Sequence, residues 1–455
     1  MTELAGDRMV EWAGGRTADS AGGRMLDSTR GRAIGAGELA RLLGQPPPSA
    51  EQAAVISAPL APSVVIAGAG SGKTETMAAR VVYLVANRLV APARVLGLTF
   101  TRKAAAELAQ RLRRRLAQWR RVVERDAPDD AEHLAQLLAG EPTVLTYAAY
   151  AARLVGEHAA RMGAEPDARL LSEAVRWQLA DAVVRRYPGR LPSDVGALGT
   201  VSRHVLDLAG DLADHLAAPD ALEAFCAGAL AAWEALPNGP RTRSDTPGGT
   251  AEFVAALRQR LALLPLVRDF ATAKTARGAV DFGDQMALAA QLSARSEVAR
   301  VERERFAAVL LDEYQDTGHA QARLLAALFG DGHPVTAVGD PFQSIYGWRG
   351  ASAGNLGRFA TAFPDRDGRP AAVFPLATSW RNDEAILAAA NAVAAPLRAW
   401  DASTVALRAR PGAPAGTVRV TVTDTVEAEA AWVAARLRAE WDARPAGTRT
   451  AAVLV

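Results

Sequence analysis

The spacing of apolar and polar positions changes several times along the chain, and the changes mark its elements. Ser63-Val64-Val65-Ile66-Ala67 is a short continuous apolar run that ends in glycines, and the stretch from Thr74 to about Leu89 carries apolar residues at helical spacing. This reads as strand, loop, helix. Val95-Leu96-Gly97-Leu98-Thr99-Phe100 repeats the strand pattern and leads into an alanine-rich helix from Lys103 to about Val122. Such alternation predicts an α/β fold on a parallel sheet. From about Ala151 to Ala276 strand signals fade and Ala/Leu/Arg helical periodicity takes over, interrupted at Pro237-Asn238-Gly239-Pro240 and Pro247-Gly248-Gly249. A helical insertion is expected there. Strand character returns over 307–311, 335–338 and 373–376, so the sheet resumes. Beyond about residue 377, a helix from Glu384 to Ala395 and strands over 417–422 and 451–455 predict the start of a further α/β unit, and the chain stops inside the last apolar run. Residues 1 to about 36 repeat small Gly-Arg units without apolar periodicity and read as a flexible tail, with Met9 and Met25 as alternative starts.

Composition narrows the class. The 455 residues allow about three domains at roughly 150 residues each. A chain that is 49% hydrophobic and 22% charged is not disordered as a whole. The net charge of +2 requires any nucleic-acid contact to come from a local basic surface. Cys226 is the single cysteine, which excludes intramolecular disulfides and thiolate zinc clusters, and the histidines show no close metal-ligand spacing. No apolar stretch approaches the roughly 20 residues a membrane helix needs. Residues 1 to 30 also lack the apolar core of a signal peptide. These features are those of a cytoplasmic protein with no membrane partner. Lysine is rare: only Lys73, Lys103 and Lys274 occur, against many arginines, so lysine is expected where a guanidinium does not fit.

Three stretches carry chemistry. Ala67-Gly68-Ala69-Gly70-Ser71-Gly72-Lys73-Thr74 lies between a strand and a helix, the context that separates a phosphate-binding loop from an ordinary glycine-rich turn. Its backbone N–H groups would surround phosphate oxygens at the helix N-terminus, Lys73 would reach the β- and γ-phosphates, and the Thr74 hydroxyl would ligate Mg²⁺. Leu310-Leu311-Asp312-Glu313 ends an apolar strand with two carboxylates, which suits a Mg²⁺ ligand in Asp312 and a water-polarising base in Glu313. Alone that pair would be solvated turn charge; with the loop it describes a nucleotide hydrolase. In the stretch from Val338 to Gly350, Gln343, Tyr346, Trp348 and Arg349 crowd a strand end where a core would want aliphatics. Aromatics beside arginine suit base stacking, whereas an aromatic core cluster is the plainer alternative. The basic run Arg111, Arg113, Arg114, Arg115 reads first as a solvated helix face and second as a phosphate contact.

These segments, with Ser49-Ala50-Glu51-Gln52, Thr99 to Ala105, Asp312-Glu313-Tyr314-Gln315-Asp316-Thr317 and Ser379-Trp380-Arg381-Asn382, stand in the order found in superfamily 1A DNA helicases of the UvrD, PcrA and Rep type, which the chain resembles from about residue 38 onward. In detail, Val65 to Gly70, Gly72 to Arg80 and Asp312 to Gln321 resemble the AdnB subunit of actinobacterial AdnAB helicase-nucleases. The resemblance implies a RecA-like P-loop domain, a parallel sheet flanked by helices, with a helical insertion and the start of a second α/β lobe. The implied division is a tail over 1–36, a RecA-like lobe over 37–150 and 277–376, the insertion over 151–276, and an incomplete second lobe over 377–455. It also implies site roles. Gln52 would read the adenine edge and Trp380 would stack on the base, which makes ATP, with Mg²⁺, the nucleotide. Gln343 would sense the γ-phosphate and Arg381 would stabilise charge developing on it. Phe100, Tyr346 and Trp348 would stack on single-stranded bases, with Thr99, Thr101, Arg102 and Arg349 near the DNA. Two positions depart from the family: Thr146-Tyr147-Ala148-Ala149 lacks its histidine, and Glu75 stands where many relatives carry arginine.

The activity so implied is that of an ATP-dependent 3′-to-5′ DNA helicase or translocase in repair and recombination. Its partners would be single-stranded DNA, duplex DNA ends and a second helicase-nuclease subunit, and the chain lacks the C-terminal motor motifs. A non-motor module that binds ATP and DNA without turnover is the alternative. A P-loop hydrolase acting on protein partners is the third, opposed by the aromatic-arginine cluster.

Overall fold

The computed structural model describes residues 33–190, 196–236, 249–347, 350–352, 354–400 and 404–454. Most of the Gly-Arg segment, the Pro237–Pro240 loop, Pro247, Gly248, Trp348, Arg349 and Val455 lie outside the described residues. The centre is a six-stranded parallel sheet of β1 (Ser63–Ala67), β2 (Val95–Thr99), β3 (Thr143–Thr146), β6 (Ala308–Leu311), β7 (Val335–Gly339) and β8 (Ala372–Leu376). The strand order is β3-β2-β6-β7-β1-β8. Every pairing in it is parallel, with Val65 opposite Val338 and Leu98 opposite Leu311. All six strands therefore end on one edge, where parallel α/β sheets gather their ligand sites.

Helices alternate with these strands. α1 (Ala36–Leu42) and α2 (Ala50–Ile56) precede β1, α3 (Lys73–Ala86) and α4 (Arg102–Asp126) follow β1 and β2, and α5 (Ala131–Leu138) and α6 (Tyr147–His158) flank β3. Between the two-residue strands β4 (Arg169–Leu170) and β5 (Ala279–Val280) run α7 (Glu173–Arg186), α8 (Leu198–Asp214), α9 (Pro219–Glu234) and α10 (Gly249–Thr275). Then come α11 (Phe282–Ser293), α12 (Ser296–Arg305), α13 (His319–Phe329) before β7 and α14 (Gly354–Ala362) before β8. β9 (Thr378–Ser379), α15 (Glu384–Trp400), β10 (Arg408–Ala409) and α16 (Val426–Asp442) complete the described residues. None of the described helices is long and apolar enough to cross a membrane.

Period-two alternation explains how β1 is buried on both sides. Val64 and Ile66 face a core with Tyr150, Leu154, Phe329 and Phe359, while Val65 and Ala67 face a second core with Met77, Val81, Leu84 and Leu108. A third core, built from Leu179, Val205, Leu212, Leu263 and Phe270, belongs to α7, α8 and α10. Pro375 is tolerated because β8 is an edge strand, paired to β1 alone.

Among the described residues, no strand forms over 417–422 or 451–454, where two were expected over 417–422 and 451–455. Val420 and Val422 are 87% and 94% exposed, and residues 451–454 have no ladder. An alternating pattern makes a strand only where a neighbouring strand offers hydrogen bonds. Conversely, β3, β4 and β5 were not expected. They are two to four residues long, too short for periodicity to register.

One buried arginine holds the entrance to the sheet. Arg80 on α3 is 2% exposed and donates to the carbonyls of Val55, Ile56, Ala58 and Pro59 and to Thr336 Oγ1. It thus satisfies the free carbonyls at the end of α2. Burial lowers its pKa to about 10, still well above neutrality. Arg80→Met should cost about 3 kcal/mol in urea unfolding, since it strands several carbonyls at once. A loss under about 0.5 kcal/mol would mean that water replaces the guanidinium at little cost.

Candidate nucleotide and DNA site

The glycine-rich loop leaves β1 at Ala67 and enters α3 at Lys73. Gly70 and Gly72 have φ of 76° and 86°, left-handed values that side chains resist. A Cβ on Gly70 would also lie 2.7 Å from both Arg381 Cβ and Ser379 Oγ. One on Gly68 would lie 2.0 Å from Leu407 Cδ2. The segment around β9 and β10 therefore lies directly on the loop. The Trp380 N–H donates to the Gly70 carbonyl at 2.8 Å. This brings Trp380 and Arg381 beside the loop, and both are exposed.

Gln52 approaches from the other side. Ser49 and Gln52 form a capping box at the start of α2, and Gln52 Nε2 donates to the Ser71 carbonyl at 3.1 Å. The amide keeps one N–H and one acceptor lone pair for a ligand. Glu51 accepts from the N–H groups of Ala377 and Thr378 at 3.0 and 3.1 Å and pairs with Arg408. α2 is thereby tied to the segment that carries Trp380.

Lys73 points along the sheet edge. Its Nζ lies 3.1 Å from Glu313 Oε2 and 3.5 Å from Gln343 Oε1. Glu313 occupies the left-handed region at φ 49°, ψ 44°, an uncommon conformation for a side-chain-bearing residue that marks a constrained position. Asp312 beside it is 4% exposed. Burial, then the adjacent Glu313, push its carboxyl up to about 6, against a smaller opposing pull from Lys73. Asp316 is also pushed up to about 6, by burial and by Glu313, and its Oδ1 has no hydrogen-bond partner. Burial raises Asp340 as well. Excess carboxylate beside a single ammonium is a setting that a divalent cation would relieve. The Thr74 hydroxyl, which makes no hydrogen bond among the described residues, supplies an oxygen of the right kind.

The expected DNA residues divide. Phe100 and Tyr346, from the ends of β2 and the β7 loop, stack with ring centroids 5.0 Å apart and planes 24° from parallel. Arg102 is exposed at the start of α4, and the Thr101 hydroxyl caps that helix by accepting from the Ala104 N–H. Thr99 is fully buried and its hydroxyl has no partner, so it presents no surface to a DNA strand. The last residue of β2 sits under the sheet edge, not on it. Trp348 and Arg349 lie outside the described residues.

Glu75 is explained by its partners. It pairs with Arg111 at 2.8 Å and with Arg115, both on α4, and Arg113 pairs with Glu141. Most of the basic run is thus engaged within the protein. Glu157, His158 and Glu302 also converge, but Glu302 is fully buried and already accepts from Tyr150 and Arg153. That grouping is an internal charge pair, not a metal centre. Two residues near the carboxylates were not foreseen: Gln315, discussed below, and Tyr147, whose hydroxyl donates to the Asp312 carbonyl at 3.0 Å. Tyr147 occupies the segment that lacks the family histidine, and burial raises its pKa.

A parallel sheet with a glycine-rich loop at one central strand and an acidic pair at the end of another defines a RecA-like α/β domain. Residues 49–364 match the family described as the UvrD/REP helicase N-terminal domain, and the chain belongs to that family. It is 32% identical over 356 residues to the ATP-dependent DNA helicase UvrD2 of Mycobacterium bovis, which covers 76% of this chain and 43% of that protein. It is 28% identical over 383 residues to the ATP-dependent DNA helicase UvrD1 of Mycobacterium leprae, covering 79% and 40%. A probable DNA helicase II homolog of Rickettsia felis is 28% identical over 343 residues, covering 73% and 42%. The chain spans less than half the length of these relatives.

The raised pKa of Asp316 has a direct consequence. Folding favours its protonated form, so the stability it contributes is fully present below its unfolded pKa of 3.8 and is lost as pH rises through about 6. Asp316→Asn should therefore melt above the parent protein at pH 7.5, in the absence of ligands, with the difference closing as pH falls from about 6 toward 4. A constant difference across that range in thermal scans would show that Asp316 does not titrate there.

Proposed function

We propose that the chain binds ATP and single-stranded DNA and acts in an ATP-dependent DNA helicase. The observation that carries this reading is the position of Lys73. The single ammonium of the phosphate loop contacts both Glu313, at the end of β6, and Gln343, on the loop that runs from β7 to Tyr346. The phosphate end and the base-stacking end of the site therefore meet at one side chain.

In this reading residues Ala67 to Thr74 cradle the phosphates, and Lys73 exchanges its two protein partners for phosphate oxygens. Glu313, released from Lys73, polarises the attacking water, while Gln343 and Arg381 contact the γ-phosphate. Gln52 and Trp380 hold the adenine. Thr74 and Asp312 would hold Mg²⁺, which when bound neutralises phosphate charge. Phe100 and Tyr346, with Trp348, stack on bases, and Arg102, with Arg349, faces the backbone; such contacts tolerate any sequence. Thr101, committed to its cap, contributes through its backbone. The 3′-to-5′ polarity, the role in repair and recombination, duplex ends and a second helicase-nuclease subunit as partners, and the likeness to AdnB rest on the motif resemblance. The division into a lobe over 37–150 and 277–376, an insertion over 151–276 and a second lobe from 377 is supported by the separate core of α7, α8 and α10.

The test is ATP hydrolysis with and without a single-stranded oligonucleotide. Turnover should rise with DNA and vanish in Lys73→Ala. Tyr346→Ala should weaken binding to single-stranded DNA by about 5- to 150-fold, the loss of roughly one base stack. Turnover indifferent to DNA would favour a hydrolase acting on protein partners, and binding of both ligands without turnover would favour a non-motor module.

A further inference from the structure

The ends of β6 and β7 are joined by one buried amide. Gln315 is 1% exposed. Its Nε2 donates to Glu313 Oε2 at 2.9 Å and to Asp316 Oδ2 at 3.2 Å, and its Oε1 accepts from the Asp340 N–H at 3.1 Å. Two carboxylates on one side and an N–H on the other fix which end is nitrogen. Its backbone carbonyl accepts from Ser344 Oγ at 3.1 Å, two residues before Tyr346.

The neighbouring backbone is shaped to admit this side chain. A Cβ on Gly339 would lie 2.4 Å from Gln315 Oε1, so the last residue of β7 must be glycine for the amide to reach Asp340. With Gln343 Nε2 donating to Asp340 Oδ2 at 2.8 Å, the contacts close a ring through Lys73, Glu313, Gln315, Asp340 and Gln343. The ring opens at Lys73 when that ammonium turns to a phosphate. Gln315 is then the side chain that still joins the water-polarising carboxylate to the loop bearing Tyr346.

We propose that Gln315 is a positioning residue that couples the two ligands: it holds Glu313 against the β7 loop, so that nucleotide at Lys73 and a base at Tyr346 each change the affinity for the other. This rests on the assignment of ATP and single-stranded DNA made above. Gln315 touches neither ligand. Its effect passes through the orientation of Glu313 and through the Asp340–Ser344 backbone, which Lys73 and the Ser344 hydroxyl also tie to the end of β6.

The experiment measures the affinity of the full chain for a non-hydrolysable ATP analogue with Mg²⁺, in the absence and presence of a saturating oligothymidylate. The parent should show a coupling factor in the ordinary range of about 5 to 150. Gln315→Met keeps the volume and removes the amide; it should bind the nucleotide but bring the factor close to one. Gln315→Asn, which stays polar but falls one methylene short of Glu313, should do the same, and it tests the idea should the methionine variant fail to fold. A role confined to stability would lower the melting temperature while leaving the factor intact, and that result overturns the proposal. Coupling retained in either folded variant overturns it too. A parent that binds neither ligand overturns this inference together with the functional reading, whereas a parent that binds both without coupling overturns this inference alone.

Discussion

Charge imbalance at the sheet edge is the constraint on which the rest of this structure depends. Asp312, Glu313, Asp316 and Asp340 gather at the ends of two adjacent strands and meet one ammonium, that of Lys73. A single pair at about 4 Å is worth roughly 4 kcal/mol at the effective dielectric of a partly buried site. One cation cannot offset four carboxylates; burial first, and then the charge of Glu313, push Asp312 and Asp316 up, and burial raises Asp340. The fold therefore bears both the desolvation of these carboxyls and their mutual repulsion at this edge. Under the proposed function, a cation and a polyphosphate that displaced Lys73 would change that balance together.

Around the loop lies a frame of side chains that perform no chemistry. Arg80 ties the end of α2 to β7, Glu51 ties the start of α2 to the β9 segment, and Glu75 draws Arg111 and Arg115 of α4 onto α3. Arg80 and Glu75 stand on α3, which leaves the glycine-rich loop, whereas Glu51 joins two elements that flank it. The loop is consequently gripped on three sides, and the N–H groups of Gly68 and Ser71 already donate to the carbonyls of Leu376 and Gly68.

Most of the fold was legible in the sequence because continuous apolar runs of five residues, separated by helical periods, leave little choice but a parallel α/β sheet. The glycine-rich loop and the Asp312-Glu313 pair were legible for the same reason: their chemistry depends on neighbours in the chain. Features that depend on distant neighbours were not. Thr99 reads as a surface hydroxyl beside Phe100, and only the sheet shows that it ends beneath the edge. Val418, Val420 and Val422 alternate as a strand would, yet alternation says nothing about whether a partner strand lies alongside. Gln315 lay inside a recognised motif without a role, since its value comes from Asp340, twenty-five positions away.

The scarcity of lysine has a practical side. The three side-chain amines occupy three different environments: Lys103 is 87% exposed, Lys73 is 12% exposed beside Glu313 and Gln343, and Lys274 is 6% exposed between Asp281 and Asp284. An acylating reagent applied to the native protein thus meets one open amine, one guarded by the site and one closed off by packing. The order in which they are modified is a record of access written into the covalent structure. The chain carries its own internal scale, with Lys103 and Lys274 as the fixed ends and Lys73 as the reading between them.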